Sequence, residues 1–418
     1  MEISISLTPF QTLPYEIVHQ IFEYLPFNEL VRIGRVCTRF RHISLRFVSD
    51  TKILDLQDKR FQRLKPDSLK ALLNLCSERL EKLRLKSDVL LVRTLSHFTY
   101  PKLYNLSFKS YTYSCSNTIG KWYLQNIMNN SPNLRTIAWC NQPLIRFQMR
   151  DIVPRNLTTV KFDLCDDVTF RGLAGRCPNL RHLQVMLDTE TTSINMDQFF
   201  GTVCLLETMV FTAIKTSQLR FDELVNFWQL SRLRILAVLD TRVKMDDPTL
   251  VMMAEQFPLL ETLDLRGLNV RSDSVAQLSM LGNLQNLTLV SNGFNDIDQG
   301  VQNLARYGRL KQAQFDGEIS MTTLIMLASQ CPQLTYLWVY RVKQVVVVKT
   351  AQDIMNSFSG IENGILTVRV DRPDGFFGSQ ALKIVVRALN TDGERIQFEQ
   401  GGTRSFGDLM DSVRVLSD

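Results

Sequence analysis

The sequence predicts an α/β fold. A three-helix module at the N-terminus is followed by a curved solenoid of strand–helix repeats, with parallel strands on the concave face and helices on the convex face. Three observations lead there. Proline-punctuated amphipathic stretches crowd residues 13–47, the pattern Leu-x-x-Leu-x-Leu recurs from residue 80 onward, and apolar stripes at i, i+3, i+4 and i+7 lie between its copies.

The N-terminal module comes first in the chain. Pro14 suits the first turn of a helix, where its missing N–H costs nothing. From it, Ile17, Ile21, Phe22 and Leu25 recur at a spacing that gives one apolar face. Pro26 stops that helix, and Asn28 is placed to cap a second one carrying Leu30, Val31 and Ile33. A third stretch holds Val36, Cys37, Phe40, Ile43 and Phe47. So short a segment has little core of its own, so it is expected to complete itself against another surface.

This segment, LPYEIVHQIFEYLPFNELVRIGRVCTRFRHI, resembles an F-box. The family's opening Leu-Pro-x-Glu-Ile falls on Leu13, Pro14, Glu16 and Ile17. Its Ile-Phe-x-x-Leu-Pro element falls on Ile21, Phe22, Tyr24, Leu25 and Pro26, and its later Leu and Val-Cys-x-x-aromatic-Arg on Leu30, Val36, Cys37, Phe40 and Arg41. Phe40 stands where many members carry Trp, and no Leu-Trp pair follows. The resemblance covers roughly a tenth of the chain. It implies docking onto a Skp-type adaptor and, through it, onto the cullin scaffold of a ubiquitin ligase. The adaptor-binding residues it implies are Leu13, Pro14, Glu16, Ile17, Ile21, Leu25, Pro26, Leu30, Val36 and Cys37.

From residue 48 onward the repeats take over. Clear copies begin at Leu80, Leu103, Leu134, Leu157, Leu180, Leu206, Leu233, Leu260 and Leu284. Leu310-Ala313-Phe315 is degenerate, and Leu334-Leu337-Val339 closes the series. The mean spacing of about 25 residues lies in the leucine-rich repeat range. The intervening helices show Leu69-Leu72-Leu73-Cys76, Phe170-Leu173-Ala174-Cys177, Leu250-Met253-Ala254-Phe257 and Leu324-Leu327-Ala328-Cys331. Each is one inward stripe, and the cysteines that close three of them read as small buried apolar residues. Asp247 and Pro248 supply a cap and a first-turn residue. Cys177-Pro178-Asn179-Leu180 and Cys331-Pro332-Gln333-Leu334 look like the cysteine-containing leucine-rich repeats of F-box proteins, the proline ending the helix before the chain turns. The organisation expected is an F-box over 10–47, about eleven to twelve leucine-rich repeats over 48–340, and irregular terminal repeats with a cap or tail over 341–418. The last segment holds the apolar run Val345–Val348 and strand-like stretches at Ile365–Val370 and Leu382–Leu389.

Residues between the leucines face the concave side. In the middle repeats Met186, Val210, Ala237 and Leu239 read as an exposed apolar patch, the kind of surface that binds proteins. Tyr336, Trp338 and Tyr340 put three aromatics on one strand face, where either a partner or the C-terminal segment could cover them. Arg84, Lys86 and Lys109 make the early repeats basic, which suits an acidic or phosphorylated segment or a solvated edge.

Composition narrows the function further. The formal charge of +6 over 418 residues is modest and includes no block of like charges, which argues against a nucleic-acid partner. No apolar run is long enough to cross a membrane, and MEISISLTPFQ has no signal-peptide pattern. The eight scattered cysteines, with no Cys-x-x-Cys pair, therefore read as reduced thiols in the cytoplasm or nucleus. His19, His42, His97 and His182 have no nucleophile partner in a recognisable motif, and no cofactor or metal motif is found. The expectation is a non-catalytic substrate-recognition subunit of a Skp–cullin–F-box ubiquitin ligase, whose repeats bind an unidentified protein for ubiquitination and proteasomal degradation. The alternative is a leucine-rich repeat scaffold or inhibitor with no ligase role.

Overall fold

At the Leu-x-x-Leu-x-Leu sites the alternation of apolar and polar residues becomes a short strand, and the stripes beginning at Leu69, Phe170, Leu250 and Leu324 lie on helices or on the turns that end them. The computed structural model describes residues 13–25, 27–57, 65–86, 89–109, 118–140, 154–165, 167–187, 193–213, 221, 224–239, 246–268, 270–291, 296–342, 365–370, 382–387 and 397–400. Pro26 and the run Val345–Val348 lie outside these residues. Two compact units divide the chain, Met1–Val185 and Met186–Asp418.

The first unit opens with three helices, α1 (Tyr15–Glu23), α2 (Phe27–Ile33) and α3 (Thr38–Ser49). Strands β1 (Ile53–Asp55), β2 (Lys82–Lys86), β3 (Asn105–Lys109), β4 (Thr136–Cys140) and β5 (Thr159–Cys165) follow. They alternate with helices α4 (Pro66–Cys76), α5 (Val89–Leu95) and α6 (Thr118–Asn129), and α7 (Asp167–Leu173) comes after β5. The strands pair in parallel with their middle apolar anchors side by side, Leu54 with Leu83, Leu83 with Leu106, Leu106 with Ile137 and Ile137 with Val160. All five anchors are buried. Strand β1 was not among the copies recognised in the sequence, because it keeps only the Leu54-Asp55-Leu56 part of the pattern. It is bound to β2 through the Lys52 carbonyl, which accepts from the N–H groups of Glu81 and Lys82, and through the Lys52–Glu81 ion pair at 2.9 Å.

Strand β6 (His182–Leu187) contains the division between the units. The second unit continues with α8 (Ser193–Phe200), β7 (Thr208–Ala213), β8 (Ile235–Val238), α9 (Asp247–Gln256), β9 (Thr262–Leu268), α10 (Ser272–Gln277) and β10 (Asn286–Ser291). After these come α11 (Asp298–Arg306), β11 (Gln312–Ile319), α12 (Met321–Gln330), β12 (Tyr336–Val342), β13 (Ile365–Val370), β14 (Leu382–Arg387) and β15 (Gln397–Gln400). Met209, Leu236, Leu263, Leu287, Ala313, Leu337 and Val368 form one parallel register from β7 to β13. The degenerate copy at Ala313 therefore stacks like the others, and β13 adds a parallel strand beyond residue 340. Strands β14 and β15 then pair antiparallel. Both units are built as α/β solenoid repeats.

Between β7 and β8 a short 3-10 helix, Phe227–Gln229, stands where other repeats carry an α-helix. Aromatic rings fill the space. Phe227 is fully buried, with ring centroids of Phe200, Phe221, Trp228 and Phe257 at 5.5, 5.2, 4.9 and 5.2 Å.

The helix stripes are buried as expected at Leu69, Leu72, Leu73, Cys76, Phe170, Leu173, Cys177, Leu250, Met253, Ala254, Phe257, Leu324, Leu327 and Cys331. Burial pushes the thiols of Cys76 and Cys331 up to about 11 and that of Cys177 up to about 12. Asp246, rather than Asp247, caps α9, its carboxylate accepting from the Thr249 N–H at 3.2 Å.

Asp247 instead reaches the next repeat. Its Oδ1 accepts from the backbone N–H of Arg271 at 2.7 Å and from Ser274 Oγ at 2.6 Å, and its Oδ2 from Arg271 Nε at 2.8 Å. Partial burial pushes this carboxyl up, but the hydrogen bonds from Ser274 and Arg271 outweigh it and hold it below the usual aspartate value. The same link recurs at other helix starts. Asp197 Oδ1 accepts from the Asn226 N–H at 2.6 Å, Ser272 Oγ from the Gly300 N–H at 2.7 Å, and Asp298 Oδ1 from the Ser320 N–H at 2.7 Å. At Gly300 the helices approach so closely that a Cβ would lie 2.3 Å from the Ser272 carbonyl oxygen and 2.8 Å from Val275 Cβ.

Two outcomes follow. Gly300→Ala forces α10 and α11 apart and lowers stability by about 2 kcal/mol in urea unfolding. In native protein, a thiol reagent at pH 8 followed by peptide mapping labels exposed Cys204 before Cys76, Cys177 and Cys331, which react only in denaturant.

Candidate partner-binding surfaces

In the N-terminal module, Val18, Phe22, Leu30, Phe40 and Ile43 are buried, with Leu13, Ile21, Leu25, Ile33, Cys37 and Phe47 packed against them. Phe22 meets Phe40 edge-on at 5.5 Å. Cys37 caps α3, its Sγ accepting from the Phe40 N–H at 3.4 Å, and the Arg39 guanidinium donates to the Leu13 carbonyl. Pro14 sits one residue before α1, and its carbonyl accepts from the Val18 N–H. Asn28 lies inside the first turn of α2 rather than at its cap, because that helix starts at Phe27.

The single apolar face expected for α1 is in fact two stripes. Val18 and Phe22 point to the core with Ile21 and Leu25 packed beside them, while Ile17 and Tyr24 form the outer one. Ile17 is 42% exposed and Tyr24 87% exposed, and Val36, in the turn before α3, is 69% exposed. Val18 went unrecognised as a core residue because a β-branched residue beside Ile17 blurs the period. Among the residues implied to bind an adaptor, Pro14, Glu16, Ile17 and Val36 are exposed. Leu13, Ile21, Leu25 and Cys37 are half-buried, and Leu30 is buried in the module core at 7% exposure. Leu30 thus belongs to the packing that joins α2 to the rest of the module.

The strand face of the second unit departs from the expected apolar patch. Met186 and Leu239 are half-buried, but Val210 and Ala237, opposite each other on β7 and β8, are only 4% and 7% exposed. Short side chains flanked by strands about 4.8 Å away keep little exposed area. The next residue in that row is Asp264, which forms a forked pair with Arg266 (Nε–Oδ1 3.2 Å, Nη2–Oδ2 3.0 Å). Burial pushes the Asp264 carboxyl above its usual value, although Arg266 opposes the shift. Thr288 and then Gln314 continue the row, both buried, and Gln314 Oε1 makes no hydrogen bond among the described residues. Tyr336 and Trp338 stand beside Gln312 and Gln314, half-buried, and the side chain of Tyr340 lies outside the described residues. The Asp264–Arg266 pair was missed in the sequence, although two opposite charges at i and i+2 of a strand share a face and were its available signal.

Among the described residues no helix is long and apolar enough to cross a membrane. With this geometry in hand, the family model described as F-box-like matches residues 10–48. The chain therefore carries an F-box-like module ahead of strand–helix repeats. Many solved structures are similar, two of them over most of its length as follows. One is an internalin from Listeria monocytogenes, 11% identical, with a TM-score of 0.42, covering 73% of this chain and 91% of that one. The other is the Rad7 and Elc1 complex in yeast, 15% identical, with a TM-score of 0.41, covering 80% of this chain and 89% of that one. No curated protein matches the chain.

Removing the partner of a half-buried charge tests the second unit's face. Arg266→Met should lower stability at pH 7 by about 1–2 kcal/mol. The folded Asp264 carboxyl lies above its unfolded value near 3.8, so the loss grows as pH rises through that window and shrinks near pH 4. Urea unfolding of wild type and variant at both pH values reads this difference directly.

Proposed function

We propose that this chain is the substrate-recognition subunit of a Skp–cullin–F-box ubiquitin ligase. The observation that carries the reading is the F-box-like match at residues 10–48, on a module whose first helix keeps a second, outward apolar stripe. Residues 10–47 would dock a Skp-type adaptor, residues 48–340 would hold a target protein, and 341–418 would close the array. Ile17 and Val36 supply exposed apolar contact, with Leu13, Pro14, Glu16, Ile21, Leu25 and Cys37 around them and Leu30 beneath, and Pro26, outside the described residues, is proposed with them. Desolvated large side chains of this kind carry most of the affinity in protein interfaces. On the repeats, Met186, Leu239, Tyr336, Trp338 and Tyr340 are the proposed target-binding residues, with Val210 as floor. The chain itself performs no chemistry in this reading. It positions a bound protein for ubiquitin transfer by other subunits, and the buried reduced thiols suit the cytoplasm or nucleus.

Co-expression with a Skp-type adaptor should give a one-to-one complex on size-exclusion chromatography. Ile17→Glu combined with Val36→Glu should weaken it by about a hundredfold, with the circular dichroism of the repeats unchanged. A well-folded chain that ignores the adaptor would overturn the reading and leave a repeat protein whose N-terminal helices are only a cap.

A further inference from the structure

The turns that lead into the strands form one edge of the first unit, and they stack on one another. The Asn133 side-chain amide donates to the Pro101 carbonyl at 2.6 Å and the Arg135 N–H to the Tyr104 carbonyl at 3.0 Å. The Thr158 N–H donates to the Arg135 carbonyl, and the Arg181 N–H to the Thr158 carbonyl, both at 2.8 Å. Neighbouring turns therefore keep the strand spacing of about 4.8 Å. On this edge Lys102, Arg135 and Arg155 are exposed and Arg176 is half-buried, one cation from each of four successive turns. Residues 100–105, 131–136, 154–159 and 176–182, which make these turns, include no Asp or Glu.

Charges at equivalent turn positions elsewhere are compensated. Lys52 pairs with Glu81 at 2.9 Å, and Arg79 pairs with Asp50. In the second unit Arg234 Nε donates to Glu261 Oε1, one repeat further on, at 2.9 Å. Arg135 follows the first leucine of its repeat as Arg234 does, yet the same position in the repeats on either side holds Tyr104 and Thr158. Among the described residues the side chains of Lys102, Arg135, Arg155 and Arg176 make no ion pair or hydrogen bond, whereas Arg181, also on this edge, has an interaction within the molecule. Successive turns lie well inside the Debye length of about 8 Å at physiological salt. The four cations therefore act as one positive field, assembled by folding from residues that form no run in the sequence.

We infer that this turn edge docks an acidic segment of a target protein, an extended run of about four or five Asp and Glu residues, an inference that rests on the repeats being the target-binding part of the chain. Three turn spacings span about 14 Å, and an extended chain advances about 3.4 Å per residue, so a run of that length covers the row. One cation per turn suits a line of single carboxylates better than one concentrated charge, and arginine forks take carboxylates through two parallel N–H groups. Single-stranded nucleic acid stacks its bases on open rings, but in these turns Tyr100 is buried and Tyr104 half-buried, which favours a polypeptide. The edge lies beside the strand face, leaving that face free for the rest of the target.

The test titrates the full chain into a fluorescent peptide with five consecutive glutamates between Gly-Ser flanks, and into its partner with five glutamines. Fluorescence anisotropy at low salt should show at least about tenfold tighter binding of the acidic peptide, the sum of several exposed pairs, and the difference should vanish in high salt. Arg135→Glu combined with Arg155→Glu should abolish the preference, whereas Arg135→Lys combined with Arg155→Lys should keep most of it. A charge-matched control at exposed residues of the second unit, Arg232→Glu with Arg309→Glu, should leave the preference in place. Thermal unfolding should be the same for all of these proteins. Equal binding of the two peptides, a preference that survives charge reversal at Arg135 and Arg155, or an equal loss in the control overturns the inference. So does a single-stranded RNA oligomer that binds these residues more tightly than the acidic peptide. Co-elution with the adaptor is scored on the same samples. A missing preference with the adaptor bound sinks this inference alone, whereas a preference without adaptor binding sinks only the ligase reading.

Discussion

Everything in the repeats hangs on the side-by-side stacking of one apolar anchor per strand. Leu83, Leu106, Ile137 and Val160 in the first unit, and Met209 through Val368 in the second, must occupy equivalent positions, since each buries a face that its neighbour would otherwise leave open. The chain between anchors can vary in length, because loops absorb the difference at small entropic cost. Once the anchors are fixed, strand alternation decides what the opposite face displays. The strand-face cations of the first unit and the half-buried Asp264–Arg266 pair of the second are both consequences of residues placed one step away from an anchor.

The anchors were legible because they are large, apolar and periodic, and the helix stripes ending in Cys76, Cys177 and Cys331 were legible for the same reason. Even Ala313 could be placed, since its flanking Leu310 and Phe315 preserve the spacing. Where the signal is weak, the physical reason can be named. Strand β1 is three residues long and offers half a motif. The aromatic cluster around Phe227 replaces a helix by ring packing, which has no period to detect. The burial of Val210 and Ala237 depends on what stands on adjacent strands, a relation between residues some 27 positions apart that composition of either segment does not carry.

The N-terminal module shows how a small helical unit can serve two interfaces. Its inner stripe, Val18 and Phe22, meets Phe40 and Ile43, while the outer stripe is offset by one residue on the same helix. Two apolar stripes on nine residues leave little room for polar positions, and Glu16, His19, Gln20 and Glu23 fill what remains. In sequence the two merge into a single hydrophobic face, which is why core and candidate contact residues were assigned together. Only burial separates Leu30, which shapes the module, from Ile17 and Val36, which are available to a partner.

The links between helix starts have a consequence for how such a chain can diverge. In each, a side-chain oxygen on one repeat accepts a backbone N–H from the next, at Asn226, Arg271, Gly300 and Ser320. Because any residue except proline supplies that N–H, the bond itself fixes identity at the accepting position more than at the donating one, Gly300 excepted, where a Cβ would meet the Ser272 carbonyl. Four unlike residues accordingly share one structural role. Drift at Asn226, Arg271 and Ser320 leaves this backbone bond in place, so the array can change its surface there while its spacing is inherited.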